Sequence, residues 1–385
     1  MKICHVITRL IVGGAQENTV SSCIGLRRLG HEVDLVSGPQ TGPEGSLYDQ
    51  ATAAGVPIIL VDELRRAPNP WLDLSAGAAL RRLFVSKRYD VVHTHSGKAG
   101  FAGRIAAGLA RVPIIVHTIH GPSFYSYQNP LGNWAFRWAE QAAGACTTQF
   151  VSVADAMTEQ YLAAGIGAPG NYLTIHSGMN INAFLNAPRD DSFRESLGIS
   201  KDDLVVGKIA RLFRLKGHEF LFEAAPRIVA AVPNAKFLLV GDGTYRERFE
   251  RRVTELGLRN RFVFAGLVPP QEIPRMVASM DLLVHLSLRE GLPRALPQAL
   301  ACGKPVVAFD VDGAREVCLD GQTGLLVRAG DATALAGAVI RLLQDVRLAH
   351  TMGAQGRDLV KERFSEARMV QQLDRLYRRL WAARY

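Results

Sequence analysis

The 385-residue chain reads as an α/β protein built from two doubly wound halves. Short β-branched runs alternate with amphipathic stretches from end to end, and the alternation breaks once, near residue 180, before it restarts. Apolar residues make up 48% of the chain and charged residues 21%, an ordinary globular balance. A chain of this length suits two domains, each able to bury a core without covalent staples.

In the first half the apolar runs fall at 3–7, 33–36, 58–61, 91–93, 114–117, 149–151 and 172–175, with helical stretches such as 16–29 and 74–88 between them. Runs of this length rich in Val and Ile read as buried parallel strands. Their alternation with helices implies right-handed crossovers and an open, doubly wound sheet. A turn-rich stretch then separates a domain at 1–180 from one at 201–364, with 181–200 as the linker. The second half repeats the pattern with runs at 204–210, 237–240, 261–264, 282–285, 305–309 and 324–327. The last stretch, 365–385, reads as a charged amphipathic helix that either closes the second domain or crosses back onto the first. Ligands of doubly wound sheets bind outside the carboxyl ends of the strands, so two such halves facing each other imply a ligand cleft.

Composition removes several classes of function. The five cysteines are scattered and none forms a C-x-x-C pair, which argues against a disulfide framework or a zinc site and for a reducing, cytoplasmic setting. The first apolar run is too short for a signal peptide, and no stretch reaches the length of a membrane span. The formal charge is +9, of which residues 1–188 carry +2 and the remainder +7. That excess suits a phosphate-bearing ligand or peripheral contact with an anionic membrane. No RNA-binding motif or arginine-rich tail supports nucleic acid as a partner.

The segment 287–301 is the most informative. Glu290 follows the run 282–285 and therefore lies just past a strand's carboxyl end. Gly291 permits close backbone approach to a ligand, and Leu292 and Pro293 are expected to open a helix whose free N–H groups offer a diphosphate seat. Gln298 stands eight residues after Glu290. Were that span helical, the two side chains would sit ~12 Å apart along the axis and within ~80° of each other. A nucleotide sugar fits such a pair of anchors, with hexose at one end and ribose at the other. Three further strand-end loops carry candidate groups: Arg211 and Lys216 in 210–217, Gly13 and Gly14 in 8–17, and His120 in 117–127, where Phe124, Tyr125 and Tyr127 could stack on a sugar face. His93 and His95 read as structural. Neither G-x-G-x-x-G nor G-x-x-x-x-G-K-[ST] occurs, which argues against a dinucleotide fingerprint and a P-loop.

These motifs resemble those of the retaining glycosyltransferases of family 4, which have the GT-B fold of two Rossmann-like domains. The family's S-x-x-E-G-x-P signature, followed by a second glutamate eight residues after the first, matches 287–301 except that Gln298 replaces that glutamate. Glutamine keeps an acceptor oxygen and loses the charge, so the departure bears on donor affinity. The loop 210–217 is similar to the family's G-R-L-x-x-x-K-G, with Ala210 for Gly, and the pair His120-Gly121 to its histidine-glycine pair. Residues 264–268, with Gly266 and Leu267, resemble the loop whose backbone meets the base, and 312–316 stands where the family has G-G-x-x-E, with Asp312 for the first Gly.

The resemblance implies a nucleotide-diphosphate sugar as donor, a UDP-sugar first and a GDP-sugar next. It implies Glu290 and His120 at the reacting sugar and Arg211 and Lys216 at the diphosphate. Gly13, Gly14, Gly266, Leu267, Gly291, Leu292, Pro293 and Gln298 would bind the donor. A sugar, lipid-linked or small hydroxyl compound would be the acceptor, in glycan, polysaccharide or glycolipid biosynthesis. No cofactor or metal is expected, since Asp310-Val311-Asp312 follows a strand rather than preceding one. Two alternatives stay open: a non-catalytic nucleotide-sugar-binding protein, and a glycoside hydrolase, for which a second carboxylate partner to Glu290 is missing.

Overall fold

The computed structural model describes residues 1–40, 45–67, 69–125 and 127–384. It divides into two compact units, Met1–Met179 with Glu366–Tyr385, and Asn180–Ser365.

The first unit runs β1 (Lys2–Ile7), α1 (Gly14–Arg28), β2 (Glu32–Ser37), α2 (Tyr48–Ala53), β3 (Ile58–Leu60), α3 (Pro70–Lys87), β4 (Val91–His95), α4 (Gly97–Leu109), β5 (Ile114–Ile119), α5 (Pro130–Gly144), β6 (Gln149–Ser152), α6 (Asp155–Ala163) and β7 (Tyr172–Thr174). Its seven strands form one parallel sheet in the order β3-β2-β1-β4-β5-β6-β7. A parallel sheet must bury both faces, and the strand period of two decides which residue meets which layer. Ile3 and Ile7 of β1 enter the core beneath α1, while Cys4 and Val6 enter the core beneath α3 and α4. Asn69 and Asn129 cap α3 and α5, each followed by a proline in the first turn, so composition sets where both helices start.

The second unit runs α7 (Asn182–Leu185), α8 (Asp191–Ser196), β8 (Leu204–Ile209), α9 (His218–Ala231), β9 (Ala235–Val240), α10 (Arg246–Glu255), β10 (Phe262–Gly266), α11 (Ile273–Ala278), β11 (Leu282–His285), α12 (Ala295–Ala301), β12 (Val306–Phe309), β13 (Gly324–Val327), α13 (Ala332–Gln344) and α14 (Val346–Arg363). Its six strands are also all parallel, in the order β10-β9-β8-β11-β12-β13. The expected linker, 181–200, differs from the expectation. It holds α7 and α8, and Arg194 within it is fully buried, donating to the carbonyls of Ser279, Ser200 and Asp203 at 3.2, 3.2 and 2.5 Å. Turn-forming residues also make short capped helices: Asp190 accepts the Phe193 N–H at 3.0 Å and starts α8.

The last helix, α15 (Glu366–Ala382), belongs to the first unit. It lies on α1, where a Cβ on Gly25 would stand 2.3 Å from Val370 Cγ2, so the glycine permits the close approach. Leu373, Leu376 and Tyr377 complete the core on that face of the sheet. Ser21 donates to Glu366 Oε1 at 2.6 Å, and His31 Nε2 stands 2.7 Å from Asp374 Oδ1.

One core position carries the wrong chemistry for a core. Lys208 in β8 is fully buried, and its Nζ has no hydrogen-bond partner among the described residues. Burial, reinforced by the Lys216 ammonium, pushes its pKa down from 10.5 to about 7. The unfolded chain therefore holds a proton between about pH 7 and 10.5 that the folded chain has lost, so this group makes stability rise with pH across that window. Lys208→Met keeps the volume and removes the titration. It is expected to stabilise the protein at pH 7 by on the order of 2–4 kcal/mol, with the gain shrinking toward pH 10. Denaturant midpoints of both proteins across that range check this, and a gain independent of pH would contradict it.

Candidate active site

Both sheets reverse their winding direction once, between β1 and β4 in the first unit and between β8 and β11 in the second. Loops leaving adjacent strands in opposite directions at such a point cannot cover the crevice between them. In the second unit those loops are 210–217 and 286–294, which carry Lys216 and Glu290. They are tied together by Leu288 N–H donating to Leu215 O at 2.9 Å. Gly217 has φ +67°, and a Cβ there would stand 1.9 Å from Leu286 O, so the loop closes this tightly only around glycine.

The Lys216 ammonium meets the Glu290 carboxylate at 2.5 Å, both side chains about three-quarters buried. His285 Nε2 stands 3.6 Å from the same oxygen. Burial raises the Glu290 pKa, but the Lys216 charge and hydrogen bonds from Lys216 and Ser287 outweigh it, so the group stays below the usual carboxylate range and ionised. Burial also pushes His285 down to about 3 and His218 to about 2, with the Lys208 and Lys216 charges adding to it for His218, so both imidazoles are neutral. The result is an ionised Glu290 paired with Lys216 at the carboxyl edge of the sheet. An anion arriving there would compete with Glu290 for Lys216 and free the carboxylate for hydroxyl groups.

The other expected residues of this unit lie at the same edge of the sheet or near it. Gly291, Leu292 and Pro293 are buried in the turn after Glu290. The helix expected from Leu292 begins instead at Ala295, so the 290–298 span is half turn and half helix, and the two-turn spacing of Glu290 and Gln298 does not hold. The cause is Asp312: its carboxylate accepts the Glu290 N–H at 2.6 Å, and Gly313 N–H donates to Gly291 O at 3.1 Å, which holds the turn extended. Gln298 sits half-buried on α12. Arg211 is exposed with its guanidinium 5.0 Å from the Phe213 ring centre. Gly266 ends β10 and accepts the Gly241 N–H at 2.9 Å, and Leu267 beside it is exposed.

In the first unit Gly13 precedes α1 and Gly14 is its first residue, at the end of the loop that follows β1. His120 follows β5 and its Nε2 lies 3.0 Å from His95 Nδ1. His95 Nε2 in turn lies 2.9 Å from His5 Nδ1, giving a line of three imidazoles of which His5 and His95 are buried. Strand alternation builds it, since His5, His93 and His95 all point to the face covered by α15. His5 Nε2 is buried without a partner, and a bare lone pair there costs less than an orphaned N–H. The protons then sit on the Nδ1 atoms of His5 and His95, and His120 accepts at Nε2. Burial holds His95 well below the usual histidine pKa, with the neighbouring imidazoles adding to it, so it is neutral.

One ring nitrogen each from His5, His93 and His95 lies within 4.8 Å of the others, a spacing that could hold a metal ion. Five of the six ring nitrogens are engaged: His93 meets Tyr377 OH at 2.5 Å and Thr118 Oγ1 at 2.6 Å, and the His95 pair and His5 Nδ1 are accounted for above. The cluster is filled by hydrogen bonds. Of the aromatic residues after His120, Tyr127 is exposed and Tyr125 half-buried. Phe124 departs from its expected stacking role, because it is buried against Tyr161 with ring centres 5.2 Å apart.

Asp312, His285, Lys208 and His95 were missed from sequence. Asp312 left a signal: it replaces the first glycine of the family pattern and adopts φ +50°, which Asp tolerates better than most residues. Buried histidines and lysines inside apolar runs leave none.

Residues 13–178 match the model of the glycosyl transferase 4-like domain, and residues 189–359 that of glycosyl transferases group 1. The chain is 33% identical over 343 residues to GDP-mannose-dependent alpha-(1-6)-phosphatidylinositol monomannoside mannosyltransferase of Mycolicibacterium smegmatis, covering 85% of each. It is 27% identical over 381 residues to UDP-Gal:alpha-D-GlcNAc-diphosphoundecaprenol alpha-1,3-galactosyltransferase of Escherichia coli, covering 98% of this chain and 96% of that protein. The crystal structure of Anabaena Alr3699/HepE in complex with UDP superposes with a TM-score of 0.82 at 24% identity, covering 98% of this chain and 99% of that one. With two parallel sheets wound in this way and both family models matched in order along the chain, the protein belongs to the group 1, family 4 glycosyltransferases and has the GT-B fold.

Proposed function

We propose that the enzyme moves a hexosyl group from a UDP-sugar, or next a GDP-sugar, to a hydroxyl acceptor with retention of configuration and without a metal. The acceptor would be a sugar or a lipid-linked glycan in polysaccharide or glycolipid biosynthesis. The observation that carries this is the 2.5 Å contact of Lys216 with Glu290 at the switch point of the second unit. A diphosphate supplies the anion that Lys216 prefers in a desolvated loop, and the sugar supplies the hydroxyl groups that Glu290 can then accept. The nucleotides named for relatives support the donor class, UDP-Gal in one and GDP-mannose in another.

In the proposed reaction the acceptor oxygen attacks the anomeric carbon on the face from which the diphosphate leaves. The bond from that carbon to the phosphate oxygen breaks with its electron pair on the oxygen, and the acceptor proton passes to the same oxygen. Lys216 and Arg211 stabilise the charge that builds on the leaving group, where fixed cations in a dry site are most effective. Glu290 holds a hydroxyl of the donor sugar. Gly291, Leu292 and Pro293 face the diphosphate with backbone groups, Gln298 the ribose, and Gly266 and Leu267 the base. Gly13 and Gly14 belong to the same donor set, with Tyr125 and Tyr127 on the acceptor side. His120 positions the reacting sugar, and His95 holds His120 in one tautomer.

A thermal-shift panel of UDP-, GDP-, ADP- and TDP-sugars is the first test. Stabilisation by the UDP-sugars is expected, and stabilisation by none of the four at millimolar concentration would sink the donor reading. Glu290→Gln is expected to lower kcat by about 10²–10³ while the nucleotide Kd changes little, because its role falls on the sugar. Gln298→Ala should instead raise the donor KM about 3- to 10-fold, the loss of a neutral hydrogen bond. Equal effects of the two substitutions on kcat and KM would contradict the roles. His95→Leu should lower kcat about tenfold with the donor KM held. A fall in thermal stability alone, with kcat unchanged, would confine His95 to the fold.

A further inference from the structure

Fifteen large hydrophobic side chains are exposed among the described residues, and ten of them fall between Trp71 and Trp138. They follow the helical repeat. On α5, Leu131, Trp134 and Trp138 recur at i, i+3 and i+7 and are 75%, 64% and 58% exposed. On α3, Trp71 and Leu74 are 83% and 70% exposed, with Val85 further along the same stripe. On α4, Phe101 and Leu109 are eight residues apart, two turns on one face. The three helices are neighbours: α4 packs against both α3 and α5, on the face of the sheet opposite α1 and α15. Between α3 and α4 runs an open groove of about 650 Å³ lined mainly by apolar side chains. Ten large apolar side chains exposed on and between three neighbouring helices mark an interaction face.

Charge decides what it would meet. Residues 70–154 hold eight Lys and Arg against three Asp and Glu, although the first 188 residues together carry only +2. All three acids are engaged: Asp73 with Lys98 at 2.5 Å, Asp90 with the Lys2 N–H at 2.7 Å, and Glu140 with Arg104 at 2.6 Å in the interior. Arg81, Arg82, Lys87, Arg88, Arg111 and Arg137 are exposed. The low net charge of the first half therefore hides a segment of strong positive excess that coincides with the exposed aromatic stripes. Tryptophan beside arginine on a helix surface suits the headgroup region of a bilayer, where the ring enters the acyl boundary and the cation meets phosphate.

We propose that the α3–α5 layer docks on the surface of an anionic phospholipid bilayer, with α5 as the inserting element. The inference is independent of the residue roles proposed above, because binding is read without donor or acceptor. It locates the membrane contact on named helices of the first unit, where the basic excess of residues 70–154 lies.

The test is co-sedimentation of the intact protein with vesicles of phosphatidylcholine alone or with a quarter phosphatidylglycerol, together with the tryptophan emission. Binding to the anionic vesicles with a blue shift is expected, weakened by salt. Trp134→Ser/Trp138→Ser should lose it by about tenfold or more, and Arg81→Gln/Arg82→Gln should weaken it without altering the thermal midpoint. No sedimentation with anionic vesicles overturns the proposal, as does equal capture by the variant or by phosphatidylcholine alone. Sedimentation velocity separates the other occupant: a dimer of the wild type that the tryptophan pair abolishes would assign the face to a second copy of the chain and overturn the bilayer assignment.

Discussion

The whole molecule depends on one constraint, the need of a parallel sheet to bury both faces. Each strand must be followed by a helix that returns the chain to the same edge, and the crossover is right-handed. A sheet wound this way from its middle reverses direction once, and both sheets do so, at β1/β4 and β8/β11. Every strand-end loop then opens on the same edge of its sheet. Glycines and polar groups collect there: Lys216 and Glu290 in one unit, Gly13, Gly14 and His120 in the other.

The chemistry of the second unit follows from the charges gathered at that edge. Lys208 and Lys216 repel each other beside Glu290, and burial with that repulsion pushes the Lys208 pKa down to about 7 while Glu290 stays ionised. His285 and His218 are neutral for the same reason. The Lys216–Glu290 pair is about three-quarters buried, so removing either partner would leave a desolvated charge unpaired. Asp312 is a second carboxylate at that edge. It works through the backbone of Glu290, and in doing so shortens α12.

The first unit shows a different division of labour between the two faces of one sheet. The face under α1 and α15 is filled by buried apolar residues and by a line of hydrogen-bonded histidines that ends on the partly buried His120. The opposite face carries α3, α4 and α5, whose outer surfaces keep tryptophans and arginines in contact with solvent. A sheet buried on both sides lets the two layers specialise, because neither side chain set is seen by the other.

Much of this was legible in the sequence, for a physical reason. Strand and helix periods are local, so all thirteen strands lie on the apolar runs, and the motifs at 210–217 and 287–301 mark the strand ends that hold Lys216 and Glu290. Local composition was ambiguous at 181–200, where the same turn residues that suggest a linker also cap α7 and α8. Tertiary structure alone decided the rest. The start of α12 depends on Asp312, 22 positions from Glu290. Phe124 is a core residue because Tyr161 lies behind it, and the histidines of β1 and β4 meet only because the strands are neighbours. What the sequence by itself determined were the elements and the chemistry carried at their ends. Which of those groups touch, which lose their charge, and which apolar residues remain outside were settled by burial, a property of the folded packing.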